Sequence, residues 1–167
     1  NQDGSLGGWN TTTSMPKAVY GNQCVIVNGK LYSTGGIEIN GSRISEVWYA
    51  SVNGDGTLGA WQSTTNLPVP NHFHTIFTMN GYLYSSGGSI QNNIHTTDVW
   101  YALINIDGSL GTWQATSSLP YPVATHATVS VDGGVYSLGG KEGISTWHTG
   151  VYYSEANADG TLNEWIQ

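Results

Sequence analysis

Met79-Asn80-Gly81-Tyr82-Leu83-Tyr84-Ser85-Ser86-Gly87-Gly88 reads as the turn and second half of a β-hairpin. Asn-Gly accepts the positive φ angles of a two-residue loop and is the strongest short hairpin signal. The run from His72 to Met79 therefore pairs with Tyr82-Leu83-Tyr84-Ser85, and Gly87-Gly88 ends the second strand. Beyond a variable stretch, Ser89 to Thr97, comes Asp98-Val99-Trp100-Tyr101-Ala102-Leu103, with the β-branched and aromatic content of a third strand. Asn105-Ile106-Asp107-Gly108 turns the chain into a fourth, Trp113-Gln114-Ala115-Thr116, which Leu119-Pro120 closes. Four antiparallel strands, A to D, follow one another in this one unit.

The unit is repeated at a fixed interval. Asp3, Asp55, Asp107 and Asp159 each open an Asp-Gly pair, and neighbours are 52 residues apart. Trp9, Trp61, Trp113 and Trp165 keep the same interval, as do the Gly-Gly pairs at Gly35, Gly87 and Gly139 and the prolines Pro16, Pro68 and Pro120. Four-stranded units of this size, punctuated by glycines and aromatics, predict an all-β propeller whose blades radiate from a central axis. Blades fall at about 15–66, 67–118 and 119–167, and about 7–14 reads as strand D of a preceding blade. Three blades do not close a ring, since propellers have 4 to 8. The expectation is a ring completed by another chain, as a six-bladed dimer, or by repeats of a longer propeller. The start at Asn1 without methionine fits a processed or excised piece.

Composition narrows the function. Net charge is −7 and the fixed cations are Lys17, Lys30, Arg43 and Lys141, too few and too scattered to neutralise phosphates or an anionic membrane. Nucleic acid and membrane insertion are excluded as partners. Cys24 is the single cysteine, which rules out an intrachain disulfide and a zinc–cysteine site. It aligns with Ile76 and Thr128 on strand A and reads as a small buried filler. No apolar run approaches the ~20 residues of a membrane-spanning helix. Sequons stand at Asn10 and Asn40, and the hydroxyl-rich, weakly charged surface favours an extracellular or cell-surface setting.

With the Gly-Gly doublet ending strand B, a Tyr in strand C and a Trp in strand D, in three aligned copies, the chain resembles the kelch-repeat family over essentially its whole length. The intervals Tyr49–Trp61, Tyr101–Trp113 and Tyr153–Trp165 are each 12 residues, longer than the usual kelch spacing. The added Asp-Gly-[Ser/Thr]-Leu segment looks like that of bacterial extracellular kelch-like arrays. The resemblance implies a β-propeller used as a binding scaffold. The family also includes galactose oxidase, sialate mutarotases and plant specifier proteins.

Comparing the repeats separates two rims. The A–B and C–D turns are nearly identical in every copy, as hairpin geometry alone demands. The D–A and B–C loops differ in every copy, and a loop free to vary on a fixed scaffold is where recognition chemistry sits. That rim carries Tyr20, Arg43, His72, Asn92, Asn93, His95, Tyr121, Trp147 and His148. The repeated tryptophans read as packing residues; Trp147, whose counterparts are Arg43 and His95, reads as a stacking platform. His74 aligns with His126 and Asn22, which sets these three around the mouth of the central channel as ligand-contacting groups. No metal and no cofactor is expected. The Asn-x-Asp-Gly turns lack the acidic residue that closes a calcium loop and read as Asx-turns.

The expected function is a non-catalytic, lectin-like module that recognises a glycan or another extended polar ligand through the variable rim. The alternative is a protein-binding or structural element of a surface array. An enzyme is disfavoured: Arg43 alone cannot form a carboxylate clamp of several arginines, and nothing pairs Glu38 with Glu142 at a glycosidase separation.

Overall fold

The computed structural model describes Ser5, residues 7–91 and residues 94–167. Among them every regular element is a strand, and no helix is long and apolar enough to cross a membrane. In chain order the strands are β1 (Val19–Tyr20), β2 (Gln23–Val27), β3 (Lys30–Thr34), β4 (Ile37–Glu38), β5 (Val47–Ser51) and β6 (Gln62–Ser63). The second repeat gives β7 (Thr75–Met79), β8 (Tyr82–Ser86), β9 (Ser89–Gln91), β10 (Ile94–His95), β11 (Val99–Leu103) and β12 (Gln114–Thr116). The third gives β13 (Ala127–Val131), β14 (Gly134–Leu138), β15 (Lys141–Glu142), β16 (Thr146–Trp147) and β17 (Val151–Glu155).

Three blade sheets result, all antiparallel and ordered β2-β3-β5-β6, β7-β8-β11-β12 and β13-β14-β17, beside three two-stranded ladders, β1-β4, β9-β10 and β15-β16. In the third, a single bridge from Tyr153 to Ile166 stands at the fourth-strand position. The expected A–B hairpins are present, with Val27 opposite Lys30, Met79 opposite Tyr82 and Val131 opposite Gly134. Asn28, Asn80 and Asp132 take φ of 50°, 50° and 49°, as two-residue loops require. The Asp-Gly segments are Asx-turns: Asp55, Asp107 and Asp159 each accept from the backbone N–H and the hydroxyl of the residue two positions on. Those carboxylates are occupied by their own loops.

Alternation along each strand sends side chains to opposite faces of its blade, so each core layer lies between two blades. Tyr32, Val47 and Tyr49 of the first blade pack with Leu83, Ala102 and Trp113 of the second. Phe77, Tyr84, Val99 and Tyr101 of the second pack with Val135 and Leu162 of the third.

Hydrogen bonds repeat across these junctions with the period of the sequence. Thr64 Oγ1 accepts from Leu110 N (2.6 Å), Thr65 Oγ1 donates to Leu110 O (2.6 Å), and Trp113 Nε1 donates to Thr65 O (3.1 Å). Thr116 and Ser117 hold Leu162 and Trp165 in the same way. The repeated Trp is therefore a clip onto the blade before it. Tyr32 and Tyr84 donate to the carbonyls of Gly108 and Gly160 in the next blade, at 2.7 and 2.8 Å. The first glycine of the Gly-Gly doublet marks a close approach of two blades. A Cβ on Gly35 would fall on the Asn71 carbonyl oxygen, and one on Gly87 would lie 2.6 Å from Val123 O.

Two expectations are corrected at the open ends. Residues 7–14 form no strand, and Trp9 is 93% exposed. Within that stretch Thr12 and Thr13 nevertheless clip like their counterparts, bonding Leu58 and Trp61. Cys24 is exposed rather than buried, because its face of the first blade has no blade against it.

Candidate functional site

The B–C loops of the second and third blades fold back as short hairpins, β9–β10 and β15–β16. Each is tied to the loop that enters strand A of its own blade: His72 N and O exchange bonds with Ser89, and Ala124 does the same with Lys141. Gly143 N donates to His95 Nδ1 at 3.1 Å and joins the two hairpins. Between them lies a cavity of about 150 Å³ lined by His72, Phe73, Ser89, His95, Ala124, Thr125, Lys141, Gly143 and Ile144. This cavity lies on the rim that varies between repeats.

Two features distinguish this cavity. His72 Nδ1 and Ser89 Oγ are buried without a hydrogen-bond partner in the protein, a state that costs about 1–3 kcal/mol per group. Phe73 and Thr125 adopt φ of 54° and 56°, unusual for an aromatic and a β-branched residue. Such backbone persists only where its surroundings over-determine it, and it concentrates at binding sites. Here the surroundings are a backbone relay, Phe73 N to Gly21 O at 2.8 Å and Thr125 N to Phe73 O at 2.9 Å, running from blade to blade. Burial, reinforced by the Arg43 guanidinium, holds the His72 imidazole below its ordinary pKa and therefore neutral.

The residues expected from the sequence are not all brought together. His72 and His95 line the cavity. Tyr20 approaches it through Phe73, whose ring lies 6.3 Å from Tyr20 and 4.7 Å from His72. Trp147 approaches from the other side: it is 70% exposed, and Lys141, a cavity residue, places its ammonium 5.7 Å from the indole. Arg43 lies in a neighbouring depression with Val69, Pro70, Ile90 and Gln91.

Tyr121 and His148 stack on each other with centroids 3.6 Å apart, and His148 Nε2 lies 3.2 Å from Glu142. One face of Tyr121 is therefore covered by protein. The histidines placed at the channel mouth are inside the blade junctions instead. His74 is 1% exposed with Nε2 2.7 Å from Thr34 Oγ1, and His126 is 6% exposed with Nε2 near Thr75 Oγ1 (3.1 Å) and Ser86 Oγ (3.2 Å). Asn22 keeps to its own blade and donates to Ser33 Oγ at 3.0 Å. Asn92 and Asn93 lie outside the described residues.

Phe73, Ser89, Thr125, Lys141 and Ile144 join the site although the sequence did not single them out as ligand-binding. The available signal was Gly21, which shares a repeat position with Phe73 and Thr125 and has φ of 67°. No group of three or more His, Cys, Asp or Glu able to hold a metal ion occurs among the described residues. A larger depression of about 330 Å³ on the constant rim, beside Lys30 and Ile106, contains none of the buried unpartnered polar atoms.

No protein-family model matches this chain. A kelch repeat and BTB domain-containing protein 12 of Danio rerio is 29% identical over 86 residues, covering 49% of this chain and 14% of that protein. Among solved structures, that of YjhT superposes with a TM-score of 0.77 at 14% identity, over 95% of this chain and 49% of the other. The chain thus spans about half of that structure and a much smaller part of the zebrafish protein. The likeness to that structure, with the all-β blades built by the three aligned repeats, makes the fold an arc of three β-propeller blades, and the chain is similar in sequence to a kelch-repeat protein.

Proposed function

We propose that this arc is a non-catalytic binding module that takes a neutral glycan, or a similar extended polar ligand, at the cavity between the β9–β10 and β15–β16 hairpins. The observation that supports it is the pair of buried, unpartnered polar atoms, His72 Nδ1 and Ser89 Oγ, in a cavity with apolar walls at Phe73 and Ile144. Polar groups set in an apolar hollow orient a ligand rather than merely attract it. A volume near 150 Å³ suits a single six-membered ring and falls short of the several hundred Å³ of whole drug-sized ligands. The ligand therefore extends beyond the cavity, and Trp147, reached across Lys141, is the platform on which its next unit stacks. No residue is assigned a catalytic role, and the proposal sets the module outside the cell, where such ligands are displayed.

Titration calorimetry against a panel of neutral oligosaccharides tests this. Binding is expected to weaken about tenfold in Ser89→Ala, which removes a hydrogen bond, and by a similar factor in Trp147→Ala. Arg43→Ala, in the neighbouring depression, is expected to have a smaller effect. Absence of binding across the panel, or binding indifferent to both cavity-side substitutions, would exclude the glycan reading. The exposed Ile144 and Trp147 on one hairpin support a second reading, a polypeptide ligand on the same rim.

A further inference from the structure

We propose that the depression between the first and second blades is a carboxylate subsite, with Arg43 as its anchor and an acidic sugar unit as its occupant. It measures about 410 Å³ and is lined by Arg43, Val69, Pro70, Ile90 and Gln91. That a sugar carries the carboxylate rests on the function proposed for the neighbouring cavity; the subsite itself does not.

Arg43 is the single arginine of the chain, and its guanidinium has no partner among the described residues. Its Nε is buried without a hydrogen bond. Acidic residues outnumber Lys and Arg by 11 to 4, so the vacancy does not come from a shortage of carboxylates. The two in the segment around it, Glu38 and Glu46, are both held by Lys17, at 3.2 and 2.6 Å. An arginine fork left in this state matches a carboxylate through two parallel hydrogen bonds.

Comparing the repeats shows which position lacks the anion. Glu38 in the first repeat and Glu142 in the third are counterparts, and between them the second repeat carries Ile90. Ile90 is the member of that set whose side chain shares a hollow with Arg43. A second departure keeps the hollow open. At the next junction Gly143 N donates to His95 Nδ1 and joins the two hairpins. Gln91 and Arg43 hold the same two positions one repeat earlier, and both line the depression. A guanidinium has five donors and no acceptor, so Arg43 cannot take an amide as His95 does. An acceptor from outside the chain is what completes this junction.

The subsite adjoins the cavity. Ser89 of β9 lines the cavity, while Ile90 and Gln91 of the same strand line the depression. His72 and Pro70 divide in the same way, and Arg43 lies near enough to His72 to help hold its imidazole neutral. A ligand crossing this shared wall sets a neutral unit in the cavity and an acidic unit over Arg43.

Because the chain holds one arginine, labelling with [15N]arginine gives a single Nε–H resonance. Titrating the intact chain with glucuronate is expected to shift that resonance to saturation. The uncharged methyl ester of glucuronate, and sodium chloride at equal ionic strength, are expected to leave it in place. Ile90→Glu restores the residue type of the other two repeats at a partly exposed position. It is expected to move the resonance without ligand and to weaken glucuronate about tenfold. A resonance indifferent to glucuronate, or one that follows chloride equally, would overturn the subsite. An equal response to N-acetylglutamate amide would overturn the sugar assignment and give the site to an acidic polypeptide. Neutral oligosaccharides that fail to bind while the resonance still answers to glucuronate would remove the function proposed for the cavity and support the carboxylate subsite.

Discussion

His74 and His126 occupy positions where an imidazole cannot hold a charge. Burial lowers the pKa of His74 to about 3 and that of His126 to about 4. The unfolded chain takes up a proton at each near pH 6.5, so between the folded and unfolded values it binds more protons than the fold does. Stability from these two residues is thus complete above about pH 6.5 and is lost as pH falls toward 4, by about 1.4 kcal/mol per unit for each. His126→Asn, which copies the residue at position 22, is expected to flatten the slope of the thermal midpoint between about pH 7 and pH 5. An unchanged slope would mean that the acid sensitivity lies elsewhere. At this scale the sequence was informative about the type of residue and less so about its setting. His72 and His95 were legible because they break the repeat. The inward location of His74 and His126 was not, because a two-residue alternation specifies which side of a strand a group takes but not whether another blade covers it. Phe73 and Thr125 escaped for a different reason: residues of those types almost never take positive φ, so nothing in their chemistry announces a turn.

The strands themselves were almost fully legible. Asn-Gly and Asp-Gly turns determine their own register, and the three A–B hairpins follow from them residue by residue. The fourth strand was legible mainly through its tryptophans, whose role as clips depends on a partner about 48 residues earlier and is invisible in any local window. Thr64→Val tests the clip. It keeps shape but leaves Leu110 N without its acceptor, and is expected to cost about 1–2 kcal/mol in urea unfolding. Thr78→Val, on the second blade's strand A, is a comparison of equal volume: only its carbonyl is used across the junction, by Ser130 at 3.1 Å, so a smaller loss is expected.

For the molecule as a whole, the glycine doublets report where blades meet. Gly87→Ala combines a positive φ of 59° with a Cβ set against Val123 O and is expected to lose more than the ~1–2 kcal/mol of the left-handed conformation alone. Gly139→Ala has a similar positive φ of 62° but only His148 O near the added Cβ, at 3.5 Å, and is expected to lose less than Gly87→Ala in urea unfolding. The number of blades in the chain was readable from the 52-residue period alone, whereas which glycine of each doublet faces the next blade was not.

The backbone relay through Gly21, Phe73 and Thr125 has a directional sense. Every amide in it points toward the lower-numbered blade, so duplicating one whole 52-residue unit inside the chain lengthens the relay by one link of the same kind. A blade can be gained by a single in-frame copying event, while a partial copy leaves an amide and a carbonyl stranded. Growth of such proteins in whole blades is thus written into the geometry of their inner collar.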